Sequence, residues 1–125
     1  LALLRHLSSG RKIDYLNAHG TATLISDAIE AQVIINCFGD RATQPLINST
    51  KGILGHTIGG SGAIEAAVTA LSVFNGKVHA NQVDAPISNL NLAMETYEMP
   101  IQTALSVSYG FGGHNAGLLL GKYNG

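Results

Sequence analysis

The sequence predicts a layered α/β domain. Three observations carry that expectation. Short apolar runs alternate with longer stretches of helical spacing. Both clear helical stretches stop at a glycine. The last two apolar runs are joined by a glycine-rich turn. At 125 residues the chain has room for one domain.

The elements can be justified in order. Leu1 to Leu7 is apolar, is broken by Arg5 and His6, and reads as the tail of a helix. It lacks the basic start and cleavage site of a signal peptide. The chain opens without Met, which suggests a piece of something longer. Ile13 to Ala18 follows the Gly10-Arg11-Lys12 turn and reads as a buried strand. His19-Gly20-Thr21 ends it, and Asp27 opens a helix with Ala28, Ala31, Ile34 and Ile35 at helical spacing. Gly39-Asp40 stops that helix as a glycine C-cap would. Pro45 precedes a short strand, Leu46 to Asn48, and a glycine-rich stretch runs from Gly52 to Gly62. Ala63 to Phe74 is a second helix, ended by Asn75-Gly76, with Glu65 its only charge. A helix apolar on nearly all sides is expected deep inside a larger protein. Pro86 to Met99 is polar and irregular. Ala104 to Ser108 and Ala116 to Leu120 are strands joined by Gly110-Phe111-Gly112-Gly113.

Composition excludes several classes. Hydrophobic residues make up 46% of the chain and charged residues 12%, which argues against disorder. The charged share is about half the usual ~25%, so part of the surface is expected to be covered by something else. A net charge of -1 without a Lys/Arg cluster leaves no electrostatic footprint for nucleic acid. No apolar run reaches the ~18 residues of a membrane span. Cys37 is the only cysteine, which fits a reducing compartment.

Three segments can carry chemistry. In Asn17-Ala18-His19-Gly20-Thr21-Ala22-Thr23 a histidine stands where a strand ends in a glycine turn, a place where α/β folds put working side chains. Imidazole there can donate a hydrogen bond or move a proton near neutral pH, although a lone histidine is more often structural. In the stretch from Ser49 to Gly62, Lys51 and His56 lie five apart among glycines. It is not a phosphate loop, because Lys51 precedes the glycines, and close backbone packing is the plain alternative. In Tyr109-Gly110-Phe111-Gly112-Gly113-His114-Asn115 the glycines around one aromatic allow a sharp turn with an exposed amide, or a simple hairpin loop. Cys37 sits near the end of an apolar helix, away from a glycine elbow, and reads as a small buried residue rather than a nucleophile. The five histidines match no short zinc-ligand spacing, and no G-x-S-x-G elbow of a serine hydrolase is present.

Taken together and in this order, the three segments resemble the ketosynthases, or condensing enzymes, of fatty-acid and polyketide synthesis. That family carries N-A-H-G-T-x-T, then S-x-K-x-x-x-G-H-x-x-G-x-x-G, then G-F-G-G near its end. All three stand here, over nearly the whole chain. The elongating enzymes of type II fatty-acid synthesis are the most similar in pattern. Ser26 replaces a common glycine, and Ser106-Val107-Ser108-Tyr109 replaces S-N-S-F. Neither departure falls on a catalytic side chain.

The resemblance implies a thiolase-like fold. Residues 1-125 would form most of its C-terminal half, with Ala63–Phe74 as a buried central helix and the nucleophilic cysteine on an N-terminal half not in this sequence. It implies decarboxylative Claisen condensation of acyl and malonyl thioesters. His19 and His56 would be the oxyanion donors and Lys51 the lysine beside the second histidine. Asp27, Glu30 and Glu65 would join Lys51 in a buried ion network that orients His56. Phe111 would supply an oxyanion amide and a gating ring, and Thr21 and Thr23 would hold the pantetheine arm. No metal or resident cofactor is implied, since the phosphopantetheine arm arrives on an acyl carrier protein. That carrier protein and the N-terminal half, or a partner chain, are the implied partners, in a cytoplasmic homo- or heterodimer. No role for His6, His79 or His114 follows. The competing expectation is a non-catalytic partner subunit resembling a chain-length factor, or an inactive fragment. Retention of His19, His56 and Lys51 favours catalysis.

Overall fold

The structure is a computed structural model and describes residues 1–125. Helix α1 (Ala2–Ser8) leads into strand β1 (Tyr15–Asn17), helix α2 (Leu24–Phe38) and strand β2 (Leu46–Asn48). A short helix α3 (Lys51–Leu54) and a 3-10 turn at Ile58–Gly60 precede helix α4 (Ser61–Asn75). Strands β3 (Lys77–Val78), β4 (Tyr97–Glu98), β5 (Thr103–Tyr109) and β6 (Asn115–Gly121) complete the chain.

The main sheet has the order β2-β1-β5-β6. Strands β2, β1 and β5 run parallel, and β6 folds back antiparallel on β5. All three residues of β1 are buried, as expected of a parallel strand covered on both faces. The pleat sends them to opposite sides. Leu16 joins Leu4, Ala31, Ile34 and Leu105 under α1 and α2. Tyr15 joins Val73, Val78 and Ile101 on the α4 side. The result is three layers, helix on sheet on helix.

The expected elements all form, with shifted ends. Helix α2 starts at Leu24 and not at Asp27, because Thr23 accepts the Asp27 N–H at 2.9 Å and is the true cap residue. Asp27 therefore lies in the first turn, where its charge suits the helix dipole. The stretch 86–99, expected to be irregular, holds β4 and also runs along the open edge of β2. The Ile47 N–H donates to Asn91 O at 2.9 Å, and the Ala93 N–H to Ile47 O at 2.8 Å. That edge is thereby covered.

Helix α4 is expected to be buried all round within a larger protein. This chain itself buries it along one stripe, and the stripe is mostly polar: Ser61, Glu65, Thr69 and Ser72, with Val73. Its apolar side chains point away, with Leu71 60% and Phe74 79% exposed. Hydrogen-bonding groups in the facing strands explain the inversion. Asn17 donates to Thr69 Oγ1 at 3.2 Å and to Glu65 O at 3.3 Å.

Candidate functional site

The two histidines come from different segments and meet above the C-terminal ends of β1 and β2. Their ring centroids are 5.8 Å apart, nearly perpendicular. His19 follows β1 directly, and Gly20 then turns the chain with φ +44°. A Cβ at Gly20 would stand 2.6 Å from Ser49 Cβ, so glycine permits the close approach of the loops after β1 and β2. The Glu30 carboxylate pins this turn, accepting the N–H of His19 and of Gly20, each at 2.8 Å.

His19 is buried, and Lys51 lies against it with Nζ 3.3 Å from His19 Nδ1. An ammonium can only donate, so Nδ1 is the accepting nitrogen and Nε2 carries the proton. Burial first, then the electrostatic influence of Lys51 and His56, pulls the His19 pKa down to about 4. The ring is neutral at pH 7. Lys51 forms an ion pair with Glu65 of α4, both side chains buried, and Ser108 of β5 donates to the other Glu65 oxygen at 3.4 Å. A buried lysine needs such a partner, because an unpaired charge inside is costly.

His56 follows α3 and Gly55 and is exposed. The Ile58 N–H donates to its Nδ1 at 3.1 Å, so this ring too carries its proton on Nε2. Ser61 Oγ lies 3.0 Å from the same Nδ1. Ile58 has a φ of +51°, and this turn directs its amide back to the ring. A non-glycine residue there costs about 1 kcal/mol. Ala22, three residues beyond His19, has a φ of +61°. Both histidine loops therefore hold a strained position.

The expected ion network contracts to Lys51 and Glu65. Glu30 serves the backbone of the His19 turn, and its pKa is raised chiefly by burial. Asp27 makes no ion pair, and its buried Oδ1 has no partner. Lys51 touches His19 and not His56, which is oriented by Ser61 and Ile58 instead. The Thr21 and Thr23 hydroxyls lie 3.3 Å apart on the open side of the His19 loop. Phe111 sits in the β5–β6 turn with its side chain 96% exposed, so the structure does not bring its ring to the histidines. Cys37 is half-buried at the far end of α2, 3.8 Å from Ser8 Oγ. No group of three His, Cys, Asp or Glu side chains is placed to hold a metal ion.

Two residues not singled out from sequence also belong to the site. Tyr109 packs edge-on against His19, with centroids 5.6 Å apart. Asn17 bonds Thr50 and the α4 residues Glu65 and Thr69, and its only sequence signal was its place in the N-A-H-G-T motif. A cavity of about 340 Å³ opens beside the loops, lined by Thr21, Lys51 and His56 and floored by Ile34, Ile47 and Leu90.

The fold is the thiolase-like one shared by solved ketosynthases, of which this chain is a C-terminal portion. Residues 2–83 match the model described as beta-ketoacyl synthase, C-terminal domain, and the chain belongs to that family. It is 42% identical over 118 residues to 3-oxoacyl-[acyl-carrier-protein] synthase 1 of Haemophilus influenzae, covering 90% of this chain and 29% of the relative. It is 37% identical over 120 residues to the chloroplastic synthase II of Arabidopsis thaliana, covering 92% of this chain and 22% of that one. Among solved structures it is similar to a type II polyketide ketosynthase in complex with its acyl-carrier protein (TM-score 0.84, 28% identity, 92% of this chain and 29% of that one). It is also similar to the ishigamide ketosynthase/chain length factor (TM-score 0.82, 29% identity, 90% and 28%). The chain thus spans less than a third of the length of each.

Proposed function

We propose that this chain supplies the decarboxylation centre of a β-ketoacyl synthase that joins acyl and malonyl thioesters carried on acyl carrier protein. The observation that carries the reading is the meeting of His19 and His56, each with Nδ1 occupied and an Nε2–H free. Two neutral donors suit one oxygen that gains charge. In the malonyl thioester the bond from C2 to the carboxylate breaks, carbon dioxide leaves, and the electron pair moves into an enolate whose charge rests on the thioester oxygen. Hydrogen bonds already aimed at that oxygen lower the barrier without reorganisation. Enolate C2 then forms a bond to the acyl carbonyl carbon, and the cysteine thiolate leaves. That cysteine belongs to the N-terminal half of the fold, on the same or a partner chain, within a cytoplasmic dimer. Lys51 and Glu65 hold the tautomer of His19. Thr21 and Thr23 face the pantetheine arm, which comes with the substrate, so the reaction needs no resident cofactor or metal. The Phe111 amide serves the acyl-transfer oxyanion, and its ring gates the acyl pocket once the other half covers it.

A second reading, a non-catalytic partner like a chain length factor, draws on the likeness to a ketosynthase/chain length factor structure. The buried Lys51–Glu65 pair held on His19 argues for catalysis, because a silent subunit has no use for it. The test uses a synthase that carries residues 1–125 as its C-terminal segment, with the two half-reactions assayed separately. His19→Ala and His56→Ala should each slow malonyl decarboxylation by about 10²–10³. Acyl transfer to the cysteine should suffer less, and His114→Ala should alter neither. Decarboxylation surviving in both histidine variants would overturn the reading.

A further inference from the structure

Asn17 is the polar group at which the sheet, the Lys51 segment and α4 meet. Its side chain is wholly enclosed, at 0% exposure. The carboxamide nitrogen donates to Thr50 Oγ1 at 2.9 Å, to Thr69 Oγ1 at 3.2 Å and to the Glu65 carbonyl at 3.3 Å. The carboxamide oxygen accepts the Thr50 N–H at 3.4 Å. Two hydrogens are thus shared among three acceptors, and both ends of the amide are used.

Each partner stands next to the site. Thr50 immediately precedes Lys51. Glu65 is the residue that pairs with Lys51, and Thr69 donates back to the Glu65 carbonyl at 2.7 Å. Asn17 itself stands two residues before His19. One carboxamide therefore ties together the three segments that carry His19, Lys51 and Glu65. Other polar contacts in the same interface lack this reach. The Tyr15 hydroxyl donates to Asn48 Oδ1 at 2.7 Å and lies beside Thr69 and Ser72 of α4, but it bonds neither Thr50 nor Lys51, and Asn48 donates onward to the His79 carbonyl at 2.9 Å.

We infer that Asn17 is a positioning residue that sets the Lys51–Glu65 pair against His19, keeping the lysine ammonium on Nδ1 and leaving Nε2–H as the donor. The inference rests on the functional reading of His19 given above. Four groups face that ring: Lys51, His56, Tyr109 and, through the backbone, Glu30, with Glu65 behind Lys51. Loosening Asn17 changes only how Lys51 and Glu65 are held.

The test is a histidine side-chain NMR titration of the same complete synthase, with labelled histidine, in wild-type, Asn17→Ala and Tyr15→Phe forms. In the wild type His19 should titrate near pH 4 with Nδ1 unprotonated above that. In Asn17→Ala the midpoint should rise by about one unit, tenfold in proton affinity, and the ring should populate both tautomers. Malonyl decarboxylation should fall about tenfold in kcat with KM unchanged. Tyr15→Phe removes a hydroxyl that reaches α4 without holding the Lys51 segment and should move the midpoint less than Asn17→Ala does. If Asn17→Ala does not fold, Thr69→Val removes one acceptor of the same carboxamide at constant shape and should move the midpoint the same way by less. A folded Asn17→Ala or Thr69→Val protein with an unmoved His19 titration overturns the inference, as does an equal shift in Tyr15→Phe. The functional reading fails by a different result, undiminished decarboxylation in both His19→Ala and His56→Ala, which says nothing about how Asn17 moves the His19 titration.

Discussion

His19 and His56 present the same tautomer by different routes. His19 is buried and faces an ammonium, whereas His56 is exposed and fixed by a backbone amide and a serine. A histidine whose pKa is 6.5 unfolded and about 4 folded binds fewer protons in the native state between those values. Its contribution to stability is complete above pH 6.5 and is lost as pH falls through 4, about 3 kcal/mol in all. Urea unfolding of wild type and His19→Gln across pH 7 to 4 should show the difference between them shrinking over that window. The comparison is needed because Glu30, with its raised pKa, acts in the opposite direction. Gly20 offers a second check. Gly20→Ala forces a Cβ into Ser49 at a φ of +44°, so the two loops must separate. The variant should lose about 1–3 kcal/mol of stability and most of its decarboxylation, seen together in denaturation and rate assays. The histidines and Lys51 were legible from their motifs. Asn17 and Tyr109 were not, because nothing in local spacing reveals that one side chain will bridge three distant segments.

At the scale of elements, α4 teaches the most. Its sequence reads as a helix needing cover on all sides, and composition alone does not say which side meets the sheet. The answer lay in the spacing of Ser61, Glu65, Thr69 and Ser72, one polar stripe that the more numerous apolar residues outvote. The stripe faces inward because Asn17, Lys51 and Ser108 offer it partners. Such an interface is expensive to half-dismantle. Glu65→Leu alone should cost about 3–5 kcal/mol by leaving the Lys51 charge buried and unpaired. Lys51→Met together with Glu65→Leu should cost less than Glu65→Leu alone, and a double-mutant cycle by chemical denaturation measures the coupling. Elsewhere the apolar periods located the four longer strands and both long helices. The two-residue strands β3 and β4 escaped because so short a run has no period to detect.

For the molecule as a whole, the exposed apolar side chains set the behaviour of the chain by itself. Leu24, Ile25, Ile58, Phe74 and Phe111 are all more than 70% exposed. So many large apolar side chains left in water favour contact with another surface. Residues 1–125 alone should therefore associate, which light scattering across a concentration series would detect, and a monodisperse monomer would contradict the expectation. The same chain alone should show no condensation with acyl- and malonyl-carrier protein, because its one cysteine, Cys37, stands at the far end of α2 with no basic neighbour bonded to it. The sheet order carries a further consequence, for the route by which the chain folds. β5 and β6 are joined by a five-residue turn and can pair at once, but β1 must find β5 across nearly the whole sequence. Asp14 meets the Gln102 amide over a separation of 88 residues. Closing so long a loop is slow, and its entropy must be overcome before the parallel pairing returns anything. Until then the β5–β6 hairpin waits with one edge open, the period in which a nascent chain is most exposed to wrong partners and most dependent on meeting the right one.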